Sequence, residues 1–234
     1  MSPQRQASGS TESVDNYLKA ILYLGGPAES RVTIKALAER LAVAPASVTN
    51  MLQKLAGAAA PLVQYERHGG VQLSAAGKRR ALEVVRHHRL IETFLYEVLD
   101  YPIEEVHDEA ERLEHFISER FEERIAAKLG HPKIDPHGHS IPTLDGVMAA
   151  PESIALADVA REGTYRIESV SDRDAGNLRR IEACGITPGA MLRVRKSASP
   201  EAEAYRVSVG RSAKTFDLPR TMAQDVRVVR KEKR

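Results

Sequence analysis

A chain of 234 residues, 42% of them hydrophobic, can hold one large domain or two to three small ones with a real core. Its single cysteine excludes an internal disulfide framework, and neither an apolar leader in MSPQRQASGSTES nor a membrane-length apolar window is present, so a reducing cytoplasm and no membrane partner are expected. A formal net charge of +2 says little about partners, but its distribution says more: residues 65–91 hold six Lys or Arg against two Glu, and residues 92–123 hold twelve Asp or Glu against two Lys or Arg.

Residues 1–12, rich in Ser and Gln, read as a disordered tail. A helix is expected from Ser13, with Val14, Tyr17, Leu18 and Ile21 on its apolar face, ending at Gly25–Gly26–Pro27. The run RVTIKALAERLAVAPASVTNMLQKLAG then reads as helix, short turn, helix. Ile34, Leu37, Ala38 and Leu41 line the first helix; Val48, Met51, Leu52 and Leu55 line the second. A helix-turn-helix of this size places the start of its second helix in the DNA major groove, where small and amide side chains meet thymine methyls and adenine edges. The outward residues Ser47, Thr49, Asn50 and Lys54 suit that role; an ordinary helical hairpin within a core is the alternative.

LVQYER, His68–Gly69–Gly70 and VQLS read as a β-hairpin, which completes a winged helix. Arg67 and His68 fall at its tip, and Lys78 opens the next helix; each is placed to meet phosphate or the minor groove. A long helix is expected from Ser74 to about Leu99 and a second from about Ile103 to Leu129. Their apolar positions exceed what a thin wing covers, so a homodimer is expected.

These helices carry the chain's most specific pattern. His107, Glu111, Glu114 and His115 follow steps of four, three and one, which puts them on one helical face; His88 and Glu92 are four apart upstream. Imidazole and carboxylate groups facing across a helical pair can hold a divalent metal, the alternative being a solvated face. Residues 130–151 carry four Pro and three Gly and break the helical pattern; His131, His137 and His139 there read as part of a structural loop. The last third changes character: TYRIESV, AMLRVRKS, AYRVSVG, AKTFDLP and DVRVVR are strand-like, with a helical stretch in DAGNLRRIEAC, and together suggest a small β-barrel of SH3 size.

VDNYLKAIL, PASVTNMLQKL, HHRLIETFL, VHDEAERLEH, HGHSIP and TLDG together resemble the diphtheria toxin repressor and manganese transport regulator family, over about Ser13 to Val229. The resemblance implies an α+β protein: a disordered tail at 1–12, a winged helix-turn-helix at 13–77, a helical metal-binding and dimerisation domain at 78–150, and an SH3-like domain at 151–234 that also resembles ferrous-transport A-type domains. It implies a metal-activated regulator of metal-homeostasis genes that binds double-stranded operator DNA as a dimer, with no enzymatic activity and no small-molecule substrate. It further implies a primary metal site at Asn16, Glu111, Glu114 and His115, an ancillary site at His88, Glu92, His107, Asp174 and Asn177, and base reading by Ser47, Thr49 and Asn50. Glu111 stands where iron-type members place a cysteine, which favours Mn(II), with Fe(II) as second effector. Asn16 stands where the family places Met or Asp, leaving open whether Asn16 or Asp15 completes the primary site. The rival readings are a dinuclear metallohydrolase, for which HExxH, GxSxG and P-loop motifs are missing, and a winged-helix regulator that does not respond to metal.

Overall fold

A computed structural model describes residues 3–149, 152–195, 204–210 and 215–231, with side chains from Thr11 onward. The chain divides into two compact units: residues 1–88, 111–123 and 142–148 form the first, and residues 89–110, 124–141 and 149–234 the second.

The first unit opens with α1 (Pro3–Gly25). The helical backbone starts at Pro3, not near Ser13 as expected, because proline suits a first helical turn and the following Gln4–Ala7 run consists of helix formers. Next come α2 (Ile34–Leu41) and α3 (Pro45–Ala56). Thr33 caps α2 by accepting the Ala36 N–H at 3.1 Å, and Ala42 ends it in the left-handed region at φ 52°. Pro45 then starts α3, which makes the sharp turn the sequence pattern implied.

Strands β1 (Val63–Glu66) and β2 (Gly70–Leu73) pair antiparallel, with Glu66 opposite Gly70, and form the wing. Leu18, Leu37, Val48, Leu52, Val71 and Ala81 are fully buried together, so α1, α2, α3, the wing and the start of α4 (Ala75–Leu99) share one core. Gly77 is obligatory in α4, since a Cβ there would lie 1.9 Å from the Leu62 carbonyl oxygen.

The second long helix expected over 103–129 is divided into α5 (Ile103–Leu113) and α6 (Glu119–Lys128). Ser118 is the cause: its carbonyl and hydroxyl accept the Phe121 N–H at 2.8 and 3.3 Å, so it caps a new helix where the periodicity alone would continue the old one. Glu114 and His115 therefore lie on a turn and not on a helical face.

In the second unit the described strands form one antiparallel sheet in the order β3 (Ile154–Ala155), β8 (Val226–Arg230), β4 (Gly163–Val170), β5 (Met191–Arg195), β6 (Ala204–Val209), β7 (Phe216–Pro219). This sheet matches the expected SH3-sized barrel and adds the short β3; the run ends at Lys196–Ser197 and Ala213–Lys214 lie outside the described residues. Helix α7 (Ala175–Ala183) and the single turn α8 (Arg220–Ala223) complete it. Leu156, Ile167, Val170, Leu178, Ile181, Leu192, Val207 and Val228 close its core. A smaller cluster joins Leu90, Ile125, Ala126 and Ile141 beneath the 130–141 loop.

That loop is an ordered hairpin bridged at Ile134 and Ser140. Gly138, at φ +88°, lets it approach β4 so closely that a Cβ would lie 2.1 Å from the Glu168 carbonyl oxygen. The Val170 N–H then donates to the His137 carbonyl at 2.9 Å, which locks the loop to the strand.

Candidate metal centres and nucleic-acid interface

The first cluster lies within the first unit. Helix α1 supplies Asp15, Asn16 and Lys19; α4 supplies His87 and His88; the end of α5 and the following turn supply Glu111, Glu114 and His115. Leaving the helix at Leu113 turns Glu114 inward, and its side chain is completely buried. His88 Nδ1 lies 2.5 Å from Glu114 Oε2 and 3.7 Å from Glu111 Oε2. His115 Nε2 lies 3.2 Å from Asn16 Oδ1 and 3.3 Å from Glu114 Oε1. The four expected primary-site residues are thus brought together, with His88 among them.

Asp15 and Asn16, adjacent in the middle of α1, both address His115. Asn16 faces Nε2, while Asp15 Oδ2 stands 3.5 Å from Nδ1 and its other oxygen accepts from Arg80 Nε at 2.6 Å. Burial would raise the Asp15 pKa, but His115 and Arg80 beside it hold the carboxyl below its ordinary value. Asp15 therefore orients the ring while Asn16 shares its ligand-bearing edge.

Two further partners of this cluster carry no local sequence signal. Lys19 Nζ contacts Glu111 Oε2 and lies 2.6 Å from Glu114 Oε1. Burial would lower the lysine pKa; Glu114 and Glu111 outweigh it and hold the ammonium above its ordinary range. His87 supports the turn from behind, with Nδ1 3.2 Å from the Glu114 carbonyl oxygen and Nε2 2.9 Å from Glu122 Oε2.

The second cluster lies within the second unit. Glu92 on α4 is buried, with Oε1 3.3 Å from His107 Nδ1 and Oε2 3.7 Å from His137 Nδ1. Asp172, two residues past the end of β4, brings Oδ2 to 3.6 Å from His107 Nδ1 and 3.9 Å from His139 Nδ1. Asp135 Oδ2 is 3.4 Å from His139 Nδ1 and 3.5 Å from Arg89 Nε. Burial would lower the His137 pKa, but the Glu92 carboxylate and the nearby aspartates raise it to about 9. Burial would raise Asp172, yet the histidines facing it, His139 first, hold it below its ordinary value.

This second arrangement differs from the expectation in two ways. Asp174 and Asn177 are engaged elsewhere: Asp174 caps α7 by accepting the Asn177 N–H at 2.9 Å, and the Asn177 amide donates to Asp225. The side chain delivered to His107 is Asp172, because the helix cap claims Asp174. The expected structural loop, meanwhile, places Asp135, His137 and His139 with their ligand-type atoms within 4.8 Å of one another. The signal was present in the D-x-H-x-H spacing, but its partners Glu92 and Asp172 come from distant segments.

Both clusters fit a divalent cation. In the first, His115 Nε2 stands 3.2 Å from Asn16 Oδ1 and 3.3 Å from Glu114 Oε1; in the second, His137 Nδ1 and Asp135 Oδ2 are buried and make no hydrogen bond, facing Glu92 and His139 at 3.7 and 3.4 Å. Ligand atoms around a six-coordinate ion of this size stand about 3 Å apart. The donors are nitrogen and oxygen; the free cysteine, Cys184, caps α7 and belongs to neither cluster.

Of the residues expected to meet DNA, Ser47, Asn50 and Lys54 are exposed on α3, opposite the buried Val48, Leu52 and Leu55. Thr49 is half-buried, with its hydroxyl donating to the Pro45 carbonyl at 3.1 Å. Arg67 and His68 are exposed at the wing tip. Lys78 is half-buried and lies 2.5 Å from Glu29, so part of its charge is already met.

Comparison with known proteins finds relatives of all three parts of the chain. Residues 10–71 match the iron-dependent repressor N-terminal DNA-binding domain, residues 74–143 the iron-dependent repressor metal-binding and dimerisation domain, and residues 154–230 the FeoA domain. The iron-dependent repressor IdeR of Mycobacterium leprae is 31% identical over 208 residues, covering 82% of this chain and 86% of that protein. The transcriptional regulator MntR of Oceanobacillus iheyensis is 33% identical over 125 residues, 53% of this chain and 82% of that protein. Among solved structures, a manganese-dependent transcriptional repressor in complex with manganese superposes with a TM-score of 0.84 at 38% identity, over 93% of this chain and 99% of that one. ScaR with bound Zn2+ superposes with a TM-score of 0.78 at 31% identity, over 93% and 99%.

Proposed function

The chain belongs to the iron-dependent repressor family of metal-responsive, DNA-binding transcriptional repressors, and from that premise we propose that it is a cytoplasmic, dimeric repressor of metal-homeostasis genes activated by Mn(II), with Fe(II) as second effector. The observation that carries the reading is the convergence of α1 with the 111–115 segment: Asn16 on the helix that packs under the DNA-reading pair meets His115, whose same ring nitrogen faces Glu114 on the turn after α5.

Asn16, Glu111, Glu114 and His115 hold the first cation, with His88 against Glu114; Glu92, His107, Asp172, His137, Asp135 and His139 form the second site. The bound ion supplies concentrated positive charge that binds oxygen and imidazole ligands together. Glu111 and Glu114 then stay drawn to α1, and α1 holds its place against α2 and α3 through Leu18 and Leu37. That placement fixes the attitude of the recognition helix. A coupling of about 1–3 kcal/mol changes operator affinity from several-fold to about a hundredfold.

Ser47 and Asn50 on exposed α3 read base edges, with Thr49 contributing its methyl; Lys54, Arg67 and His68 meet phosphate, and Lys78 does so after parting from Glu29. Self-association uses exposed apolar side chains that no element of the first unit covers, Leu113, Phe116 (62% exposed) and Phe121 (50%). No helix among the described residues is long and apolar enough to cross a membrane.

The test is gel retardation on duplexes selected from a random pool by the Mn(II)-loaded protein. Retention that disappears with chelator and returns with Mn(II), or with Fe(II) under anaerobic conditions, supports the reading. Retention indifferent to chelator overturns it.

A further inference from the structure

Lys19 is a long cationic side chain on α1 that sits inside the first cluster, not at the surface. Only 9% of its side chain is exposed. A lysine stem ordinarily carries its ammonium out to water, so burial requires a strong local reason. Here the reason is a pair of carboxylates: Nζ touches Glu111 Oε2 and lies 2.6 Å from Glu114 Oε1, and the Glu114 side chain is fully buried. Those oxygens belong to the groups assigned above to the first cation, and His88 stands on the far oxygen of Glu114 at 2.5 Å.

We infer that Lys19 is a tethered counter-ion that occupies the cation position of the first cluster in the metal-free protein and must withdraw when a divalent ion loads. The inference rests on the proposed metal reading of that cluster. Two carboxylates gathered around one point, one of them fully buried, repel each other unless a positive charge is present. The ammonium supplies one charge and three donors, enough to hold the segment after α5 against α1 but not enough to neutralise both acids. A divalent ion supplies two charges to the same oxygens. Ammonium and metal cannot share them, because like charges within a few ångströms inside a protein repel strongly. Each loading event therefore breaks one buried and one part-buried lysine–carboxylate contact and moves a four-carbon stem. That cost is built into the metal affinity of this chain by one residue on the helix that also carries Asn16. Lys19 sets the free-ion concentration at which the regulator switches, and it keeps the metal-free site assembled below that concentration.

The experiment measures Mn(II) binding by the paramagnetic resonance of the free ion, on full-length wild-type protein, Lys19→Met, Lys19→Gln and Glu114→Gln. Circular dichroism verifies folding of each; Lys19→Gln stands in if the methionine variant fails to fold. The first-cluster affinity is expected to rise about tenfold or more in the lysine variants, while thermal stability of the metal-free protein falls. Unchanged or weaker Mn(II) affinity in folded lysine variants, with one site lost in Glu114→Gln, overturns the counter-ion inference and leaves the metal site standing. A full complement of Mn(II) in Glu114→Gln overturns the site reading and the inference together.

Discussion

His87 Nε2 lies 2.9 Å from Glu122 Oε2 while Nδ1 of the same ring reaches the Glu114 carbonyl at 3.2 Å, so one imidazole ties α6 to the turn that presents Glu114 and His115. Arg86 Nε adds a second hold on Glu122 at 2.5 Å and a contact to the Pro142 carbonyl at 2.7 Å. The side chains of Arg86, His87 and Glu122 are 12%, 9% and 5% exposed, so this is a buried network and not a surface pair.

Glu122→Ala leaves the buried Arg86 guanidinium and His87 imidazole without their carboxylate. We expect a loss of about 3–5 kcal/mol in the stability of the metal-free protein, read by urea denaturation. Mn(II) affinity should fall as well, because the turn loses its anchor; unchanged stability would remove the network from the account.

Glu122 also gives a pH dependence. Burial would raise its pKa, but His87 and Arg86 hold it below 4.5. A depressed carboxylate contributes stability that is present above the unfolded value and is lost as pH falls through the folded one. Metal-free wild type should therefore lose stability below about pH 4.5 more steeply than Glu122→Gln does, as monitored by denaturation at stepped pH.

Asp172 and Asp174 separate by function. Asp172→Ala should abolish one Mn(II) site in a titration with little effect on the fold. Asp174→Ala should cost about 1 kcal/mol through the lost cap of α7 and leave the number of Mn(II) sites unchanged. The reverse pattern would restore Asp174 as the ligand.

Gly138→Ala combines a left-handed backbone with a Cβ 2.1 Å from the Glu168 carbonyl oxygen, whereas Gly130→Ala at φ +72° meets nothing within 4 Å. Both substitutions strain the backbone by about 1 kcal/mol, but only Gly138→Ala must also push the 130–141 loop off β4. Mn(II) affinity of the second cluster should drop in that variant alone; equal effects would show that the loop's seat on β4 does not position its ligands.

The winged helix and the small sheet were legible because their signals are local: apolar spacing in RVTIKALAERL, a proline opening α3, glycines at the hairpin, alternation in TYRIESV. The first cluster was half legible. Glu111, Glu114 and His115 were readable as chelators, but the helical face invoked for them does not exist, since Ser118 starts a new helix and the turn before it does the aiming. Lys19 was invisible because a lysine amid VDNYLKAIL reads as a solvated position, and its burial is created by carboxylates more than ninety residues away. The second cluster needed Glu92, Asp135, His137 and Asp172 from separate segments, and spacing within any one of them understated it.

The most direct test of metal gating is anomalous diffraction at the manganese edge from crystals of the Mn(II)-loaded full-length protein. The account predicts one peak bounded by Asn16, Glu111, Glu114 and His115, with Lys19 Nζ withdrawn from both carboxylates, and a second beside Glu92, His107 and Asp172. Crystals of the loaded protein with no peak at the first position, and Lys19 still seated between Glu111 and Glu114, would contradict it.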